Sequence, residues 1–283
     1  MIRFGMHASL WAPHWSREAA EKIVPDAARH GLSVIEIPLL DPDGVDAAHS
    51  AALFAAHGVS PTCSLGLPPD VGAPLQPKKA EEFLTRVLKV SHALGATYLG
   101  GVIFSTLGYH SGKPPTEAEY DGIVAALKPV ARRAADLGIT LGLEPCNRYE
   151  THLLNTAAQG VMLLERIGEP NLTIHLDTYH MNIEEKGYAN GLKAAQGQCA
   201  YVHLSESDRG VPGTGTIDWD DVFRGLKTVS FDGDLVIESF VTMPPSLAAA
   251  LSVWRPVAKD AEEVLREGVP FLKAKAREHG LSF

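Results

Sequence analysis

Four ionisable side chains stand at the carboxyl ends of short apolar segments in the second half of the chain. They are Glu144, Asp177, His203 and Glu238, and the intervals between them are 33, 26 and 35 residues. Taken singly, each carboxylate is more simply explained as a helix N-cap or a solvated loop residue. Three carboxylates gathered in a partly dry pocket, however, repel one another unless protons or a cation balance their charge. Together with one imidazole they suit Mn²⁺, Co²⁺ or Mg²⁺, with zinc as an alternative, and the pattern predicts one divalent-metal site with positions open to a substrate.

A second polar residue follows three of these four positions. Glu150 lies six residues after the first carboxylate, His180 three residues after the second, and Arg209 six residues after the histidine. Each alone is typical of a surface group, but the repeated placement favours contacts with substrate hydroxyl groups. Gly213 and Gly215 form a loop that either cradles a phosphate or simply turns. Because little beyond Arg209 is basic nearby, we expect an unphosphorylated substrate.

Aromatic residues also follow several of the predicted strands. These residues would either form an apolar wall that contacts the carbon face of a sugar or pack in the core of the protein, and the sequence favours neither. The residues are Trp11, Trp15, Phe104, Tyr109 and Phe240.

The elements that must position these residues are short β-branched or apolar runs that alternate with helix-like stretches. The eight runs cover 2–7, 33–38, 61–64, 97–102, 140–144, 172–177, 200–204 and 234–238. Their even spacing predicts an α/β fold, a closed (β/α)8 TIM barrel, in which the carboxyl ends of the strands carry the active site. The alternative, an open doubly wound sheet, would be expected to carry a glycine-rich phosphate turn, and none is present.

No linker or change in composition divides the chain, so we expect a single domain over residues 1–283. Helical periodicity marks 17–30, 47–57, 77–94, 117–137, 156–167 and 220–228. The tail, residues 247–279, predicts one or two closing helices separated near Gly268, Val269 and Pro270.

Composition and charge exclude several classes of protein. The formal net charge is −9, which gives the chain no generic attraction to a nucleic-acid backbone. Three cysteines, with no CxxC pair, suggest neither a disulfide framework nor a structural zinc site. The N-terminus lacks the features of a signal peptide and no long apolar run follows, so we predict a cytoplasmic protein with no membrane segment.

Several motifs resemble the D-tagatose 3-epimerase group of ketose 3-epimerases, which includes D-psicose (D-allulose) and L-ribulose 3-epimerases, within the xylose-isomerase-like barrels. The motifs are NRYETHLLNTA at 147–157, HLDTYHMNIEE at 175–185, HLSESDRGVPGTG at 203–215 and ESF at 238–240. The match spans the C-terminal half and is looser in the first half.

The resemblance implies inversion at C3 of a free ketohexose or ketopentose through a cis-enediolate. It assigns one metal ion, with Mn²⁺ expected first, to Glu144, Asp177, His203 and Glu238, and the acid and base roles to Glu144 and Glu238. It implies that Glu150, His180 and Arg209 bind the sugar, and that the protein forms a homodimer or homotetramer.

Four other functions stay open from the sequence. An aldose-ketose or hydroxypyruvate isomerase would use the same metal and glutamates, and an inosose-type dehydratase would eliminate water. An endonuclease-IV-like DNA repair enzyme would need more metal ligands and a basic groove, which the charge disfavours. In a non-enzymatic sugar-binding protein, the free-energy cost of bringing the paired carboxylates together would be unexplained.

Overall fold

Eight parallel strands form the sheet, and its closure is visible at β1, which pairs with both β2 and β8. The computed structural model describes residues 1–241, 248 and 251–283. The strands are β1 Arg3–His7, β2 Val34–Pro38, β3 Ser60–Ser64, β4 Tyr98–Gly100, β5 Thr140–Leu143, β6 Leu172–Asp177, β7 Cys199–Leu204 and β8 Asp234–Ile237. The predicted TIM barrel is therefore confirmed. The strand bounds differ from the prediction by at most two residues at either end, most at β4, which stops two residues early.

Helices connect successive strands. They are α1 Arg17–Arg29, α2 Ala47–His57, α3 Pro77–Leu94, α4 Glu117–Asp136, α5 Ala157–Ile167, α6 Thr178–Glu184, α7 Tyr188–Ala194 and α8 Trp219–Thr228. Two of them, α6 and α7, fall in a segment that the periodicity left unassigned, because each has only seven residues. None of the helices described by the structure is long and apolar enough to cross a membrane.

The expected break in the C-terminal tail is wrong. Residues 261–278 form one continuous helix, α9, made of α-helical Ala261–Glu263, a π-helical turn at Val264–Gly268 and α-helical Val269–Glu278. Gly268 has helical backbone angles, and the amide of Val269 bonds back to the carbonyl of Val264. Pro270, which has no amide hydrogen to donate, comes directly after the π-helical turn, where the hydrogen bonds change from the π to the α pattern. The beginning of the predicted tail, at residue 247, lies outside the described residues.

A small apolar cluster separate from the main core lies at the centre of the sheet. It consists of Val34, Tyr98, Tyr201 and Val236, and the rings of Tyr98 and Tyr201 stack with centroids 4.3 Å apart. Gly142 on β5 makes room for it, since a Cβ there would lie 1.8 Å from the Tyr98 hydroxyl. Strand side chains two residues apart share a face, so the residues that follow this cluster towards the strand ends face the barrel axis.

Candidate active site and metal centre

The four residues at the strand ends converge on one point. The Nδ1 atom of His203 lies 3.7 Å from Glu144 Oε1, 3.7 Å from Asp177 Oδ2 and 3.6 Å from Glu238 Oε1. All four residues are buried, with no more than 8% of their surface exposed. The structure therefore brings together the complete ligand set that the sequence predicts.

The ends of the strands explain this convergence. The main chain of Glu144 and of Glu238 extends the ladder one residue beyond β5 and β8, through bonds to the carbonyls of Gly101 and Leu204. Asp177, the last residue of β6, is also the N-cap of α6, where its Oδ1 accepts the amide of Tyr179 at 2.7 Å. Its Oδ2 is buried without a hydrogen-bond partner. The N-cap and ligand interpretations of this carboxylate are thus compatible, because each uses a different oxygen.

A carboxylate that the sequence analysis missed fixes the orientation of His203. Glu36 on β2 accepts a hydrogen bond from His203 Nε2 at 2.7 Å, and its Oε2 also accepts the hydroxyl of Tyr201 at 2.7 Å. Burial alone would raise the pKa of Glu36, but the adjacent imidazoles, His203 first, lower it well below its usual range. Because Nε2 donates to Glu36, Nδ1 is the nitrogen that faces the three carboxylates and would offer its lone pair to a metal ion. The signal in the sequence was a single charge inside the apolar run VIEIP.

Two other imidazoles near the site also carry a proton on Nε2, but their Nδ1 atoms face the main chain instead of the pocket. His175 Nδ1 accepts the amide of Gly101 at 3.2 Å, and His180 Nδ1 accepts the amide of Asn147 at the same distance. A neutral imidazole whose Nδ1 accepts a hydrogen bond carries its proton on Nε2, so neither ring offers a lone pair to an ion in the pocket. His203 is therefore the imidazole suited to a metal.

The donor chemistry fits a divalent cation. Two of the buried polar atoms without a hydrogen-bond partner, Asp177 Oδ2 and His203 Nδ1, face each other at 3.7 Å. Although burial lowers the pKa of His203, the surrounding carboxylates, Glu36 first, raise it well above its ordinary value. A divalent cation between these two atoms and the two glutamates would take the place of the proton that balances the carboxylates.

Replacing Glu36 by glutamine is expected to weaken Mn²⁺ binding by about 10- to 100-fold, because the hydrogen bond that fixes His203 would lose its charge. Isothermal titration calorimetry of the metal-free protein measures this directly. Tyr201→Phe is the matched control, since it removes the other hydrogen bond to Glu36 but keeps the carboxylate, and its effect should be smaller. Unchanged affinity in Glu36→Gln would contradict the role assigned to Glu36.

Arg209, Glu150 and His180 line one side of the same cavity. Arg209 forms an ion pair with Glu238 and lies 3.4 Å from Glu150 Oε1 and 3.5 Å from Asp177 Oδ2. Its guanidinium is 4.0 Å from the ring centroid of Tyr179, a cation–π contact that holds it in place. Arg209 also has a positive φ of 61°, a conformation uncommon outside glycine, which the surrounding contacts must maintain.

The two glutamates differ in their affinity for a proton. Burial raises the pKa of Glu238 to about 8, against the opposing effect of His203 and Arg209. Burial acts on Glu144 in the same sense, but the imidazoles of His175 and His203 outweigh it and lower the pKa of Glu144 below its ordinary value. Two carboxyl groups with unlike proton affinities at one site suit general acid and base chemistry.

The cavity holds about 660 Å³ of open space, and its walls join this polar centre to apolar side chains. Of the five aromatic residues for which a wall against the sugar and packing in the core were equal alternatives, Phe240 lines the cavity, as do Leu40, Leu107 and Leu251. The other four aromatic residues are used elsewhere. Trp11 bonds to Asp26, Trp15 stacks on Phe54, Phe104 is fully buried and Tyr109 bonds to Glu119.

The loop that carries Gly213 and Gly215, called the glycine loop here, already surrounds a carboxylate of the protein itself. The buried carboxylate of Glu206 accepts the amides of Ser207, Gly213 and Ile217 at 2.8 to 3.2 Å, and the indole of Trp219 at 3.1 Å. These donors are therefore not available to a substrate phosphate.

The chain is similar to several known proteins over nearly its whole length. A family model described as a xylose isomerase-like TIM barrel matches residues 24–275. The L-ribulose 3-epimerase of Methylomonas sp. (strain DH-1) is 39% identical over 280 residues, covering 97% of this chain and 98% of its own. The ketose 3-epimerase of Arthrobacter globiformis is also 39% identical, covering 97% and 96%. The chain belongs to the ketose 3-epimerase family. A solved structure of that family, the D-allulose 3-epimerase from Methylomonas sp. in complex with D-allulose, superimposes with a TM-score of 0.92 at 38% identity, covering 97% of both chains.

Membership in the ketose 3-epimerase family confirms the resemblance of the four motifs and places the protein among the isomerases. The match also extends over the first half of the chain, where the motifs were weaker. The geometry brings together all seven residues predicted for the site.

Proposed function

We propose that the protein is a metal-dependent ketose 3-epimerase that inverts C3 of free ketohexoses or ketopentoses. The observation that carries the proposal is the convergence of Glu144, Asp177 and Glu238 on Nδ1 of His203. Family membership supports the class of reaction, since relatives over the whole length of the chain are named ketose and L-ribulose 3-epimerases.

A divalent cation held by these four residues would polarise the ketose carbonyl and balance the negative charge that develops next to it. Mn²⁺ is our first choice because three carboxylates and one imidazole form a hard to borderline ligand set, with Co²⁺ and Mg²⁺ as alternatives.

Glu144 and Glu238 exchange the C3 proton. They follow β5 and β8, which are three strands apart in the ring of eight, so they approach the cavity from different sides. One glutamate removes the proton from C3, which is acidified by the adjacent carbonyl, and the other returns a proton to the opposite face of the cis-enediolate. The configuration of the substrate decides which of the two acts first.

The sugar is positioned next to the two glutamates by three further residues, Glu150, His180 and Arg209. Arg209 is the one Arg or Lys among the described residues that line the cavity, and it is paired with carboxylates. A cavity with this charge, beside a glycine loop already filled by Glu206, suits a sugar without a phosphate.

We propose a cytoplasmic location, supported by three free cysteines. We further propose that residues 1–283 form a single domain and that the protein assembles as a homodimer or homotetramer. We propose that it binds neither nucleic acid nor a membrane.

Incubation of the purified protein with Mn²⁺ and a panel of free ketoses in D₂O tests the proposed function. We expect interconversion of a C3-epimer pair such as D-fructose and D-allulose, with deuterium incorporated at C3, detected by NMR. Deuterium at C1 or C2 together with an aldose product would instead indicate an aldose-ketose isomerase. Loss of water would indicate a dehydratase, and either result would overturn the proposal.

A further inference from the structure

Asn147 is a buried residue of the β5–α5 loop to which the sequence analysis assigned no role. It lies three residues after Glu144, and only 1% of its surface is exposed. Its side chain lies between two of the residues proposed to bind the sugar, Glu150 in the same loop and His180 on α6.

Both ends of the Asn147 amide are hydrogen-bonded. Its Nδ2 donates to Glu150 Oε1 and to His180 Nδ1, both at 2.9 Å. Its Oδ1 accepts the amide of Tyr149 at 2.9 Å, which closes an Asx turn and fixes which end of the side chain is the nitrogen. An amide supplies two donors and an acceptor in this arrangement, whereas a carboxylate supplies acceptors alone.

The first consequence concerns His180. Its Nδ1 accepts from both the main chain and the side chain of Asn147, so Nε2 carries the proton and faces the cavity as a donor. There it lies 3.3 Å from a terminal nitrogen of Arg209, which is also a donor. Two donors this close are complementary to one shared acceptor, such as an oxygen of the ketose.

The second consequence concerns Glu150. Its Oε1 accepts from Asn147 and faces Arg209 at 3.4 Å, which leaves Oε2 to accept a hydrogen bond from a substrate hydroxyl. The side chain of Asn147 thus leaves His180 as a hydrogen-bond donor towards the cavity and Glu150 as an acceptor.

We propose that Asn147 is a positioning residue that sets this donor and acceptor pattern, so that the site recognises one sugar oxygen as an acceptor at His180 and another as a hydroxyl donor at Glu150. The kinetic consequence rests on the proposed function, whereas the tautomer of His180 does not.

Two substitutions distinguish this role from simple packing. Asn147→Asp keeps the shape but replaces both donors by an acceptor, which repels Glu150 and draws the proton of His180 to Nδ1. Asn147→Ala removes the side chain, but the main-chain amide still donates to His180 and preserves its tautomer. We expect Asn147→Asp to lower kcat/KM by about 100-fold, with a large part in kcat, because the reacting sugar is misplaced. Asn147→Ala should lower it by about 10-fold, mainly through KM.

A purely structural role predicts the reverse order, because the alanine variant leaves a cavity and the aspartate variant does not. Equal or greater loss in Asn147→Ala would therefore overturn the proposal. Thermal unfolding of both variants shows whether either has lost its fold.

A second readout needs no substrate. In protein labelled with ¹⁵N-histidine and loaded with diamagnetic Mg²⁺, the resonance of His180, assigned with a His180→Gln variant, should show the proton on Nε2. Asn147→Ala should retain this pattern and Asn147→Asp should lose it. A proton on Nδ1 in the unsubstituted protein would overturn the positioning role. Absence of turnover of any ketose would instead count against the proposed function and leave the NMR result to decide the role of Asn147.

Discussion

Glu144→Gln and Glu238→Gln are each expected to lower kcat for C3 epimerisation by about a thousand-fold or more. Each change removes a group that exchanges the C3 proton, an effect that alone reaches about 10²- to 10⁴-fold, and it also removes one anionic contact from the proposed ion. The measurement is the initial rate in both directions with Mn²⁺ present, using a pair of C3 epimers.

Glu165→Gln is a suitable control, since it removes one carboxylate from an exposed position of α5. It should leave the rate unchanged. Circular dichroism of the two site variants should show an intact barrel, because neither glutamate contributes to the apolar core. Near-normal turnover in either site variant would rule out the two-base mechanism.

Removal of divalent metal is expected to abolish activity, and Mn²⁺ or Co²⁺ should restore it at one ion per chain. Binding to the folded state should also raise its stability. At a free metal concentration 100 times the Kd the gain is about 2.7 kcal/mol. For a chain of this size that corresponds to about 5 °C in Tm. Differential scanning fluorimetry and titration calorimetry measure the two effects separately.

The control for metal removal is chelator saturated beforehand with Mn²⁺, which should not inhibit. An Asp177→Asn variant should show little of the thermal shift, because it removes the negative charge of a buried carboxylate whose Oδ2 faces Nδ1 of His203 without a hydrogen-bond partner. Full activity in protein shown by elemental analysis to be metal-free would refute the metal requirement.

The four proposed ligands were predictable because each ends an apolar run, and the barrel places such ends around one axis. Glu36 was not predictable in the same way. It stands inside β2 rather than at its end, and its importance comes from His203, which is 167 residues away. Asn147 is similar, because its role depends on a loop turn that brings His180 and Glu150 to a single amide.

The barrel itself was predictable from the spacing of the strands, but the surroundings of the cavity were not. For the aromatic residues after strand ends, the sequence could not decide between a cavity wall and core packing, because periodicity does not show which way a loop folds. Trp15 and Phe104 pack in the core. Likewise, Gly268 and Pro270 are typical of a helix break, but a π-helical turn accommodates them within α9.

The amides of Gly101 and Asn147 have a consequence for attempts to redesign this pocket. These amides donate to the Nδ1 atoms of His175 and His180, joined at His180 by the side chain of Asn147, so both rings keep a proton on Nε2. Adding carboxylates beside the rings would therefore not recruit a second ion. A site for two metal ions in this barrel would first require the amides of Gly101 and Asn147 to move away from the two rings. The local course of the main chain therefore limits the number of ions that the pocket binds.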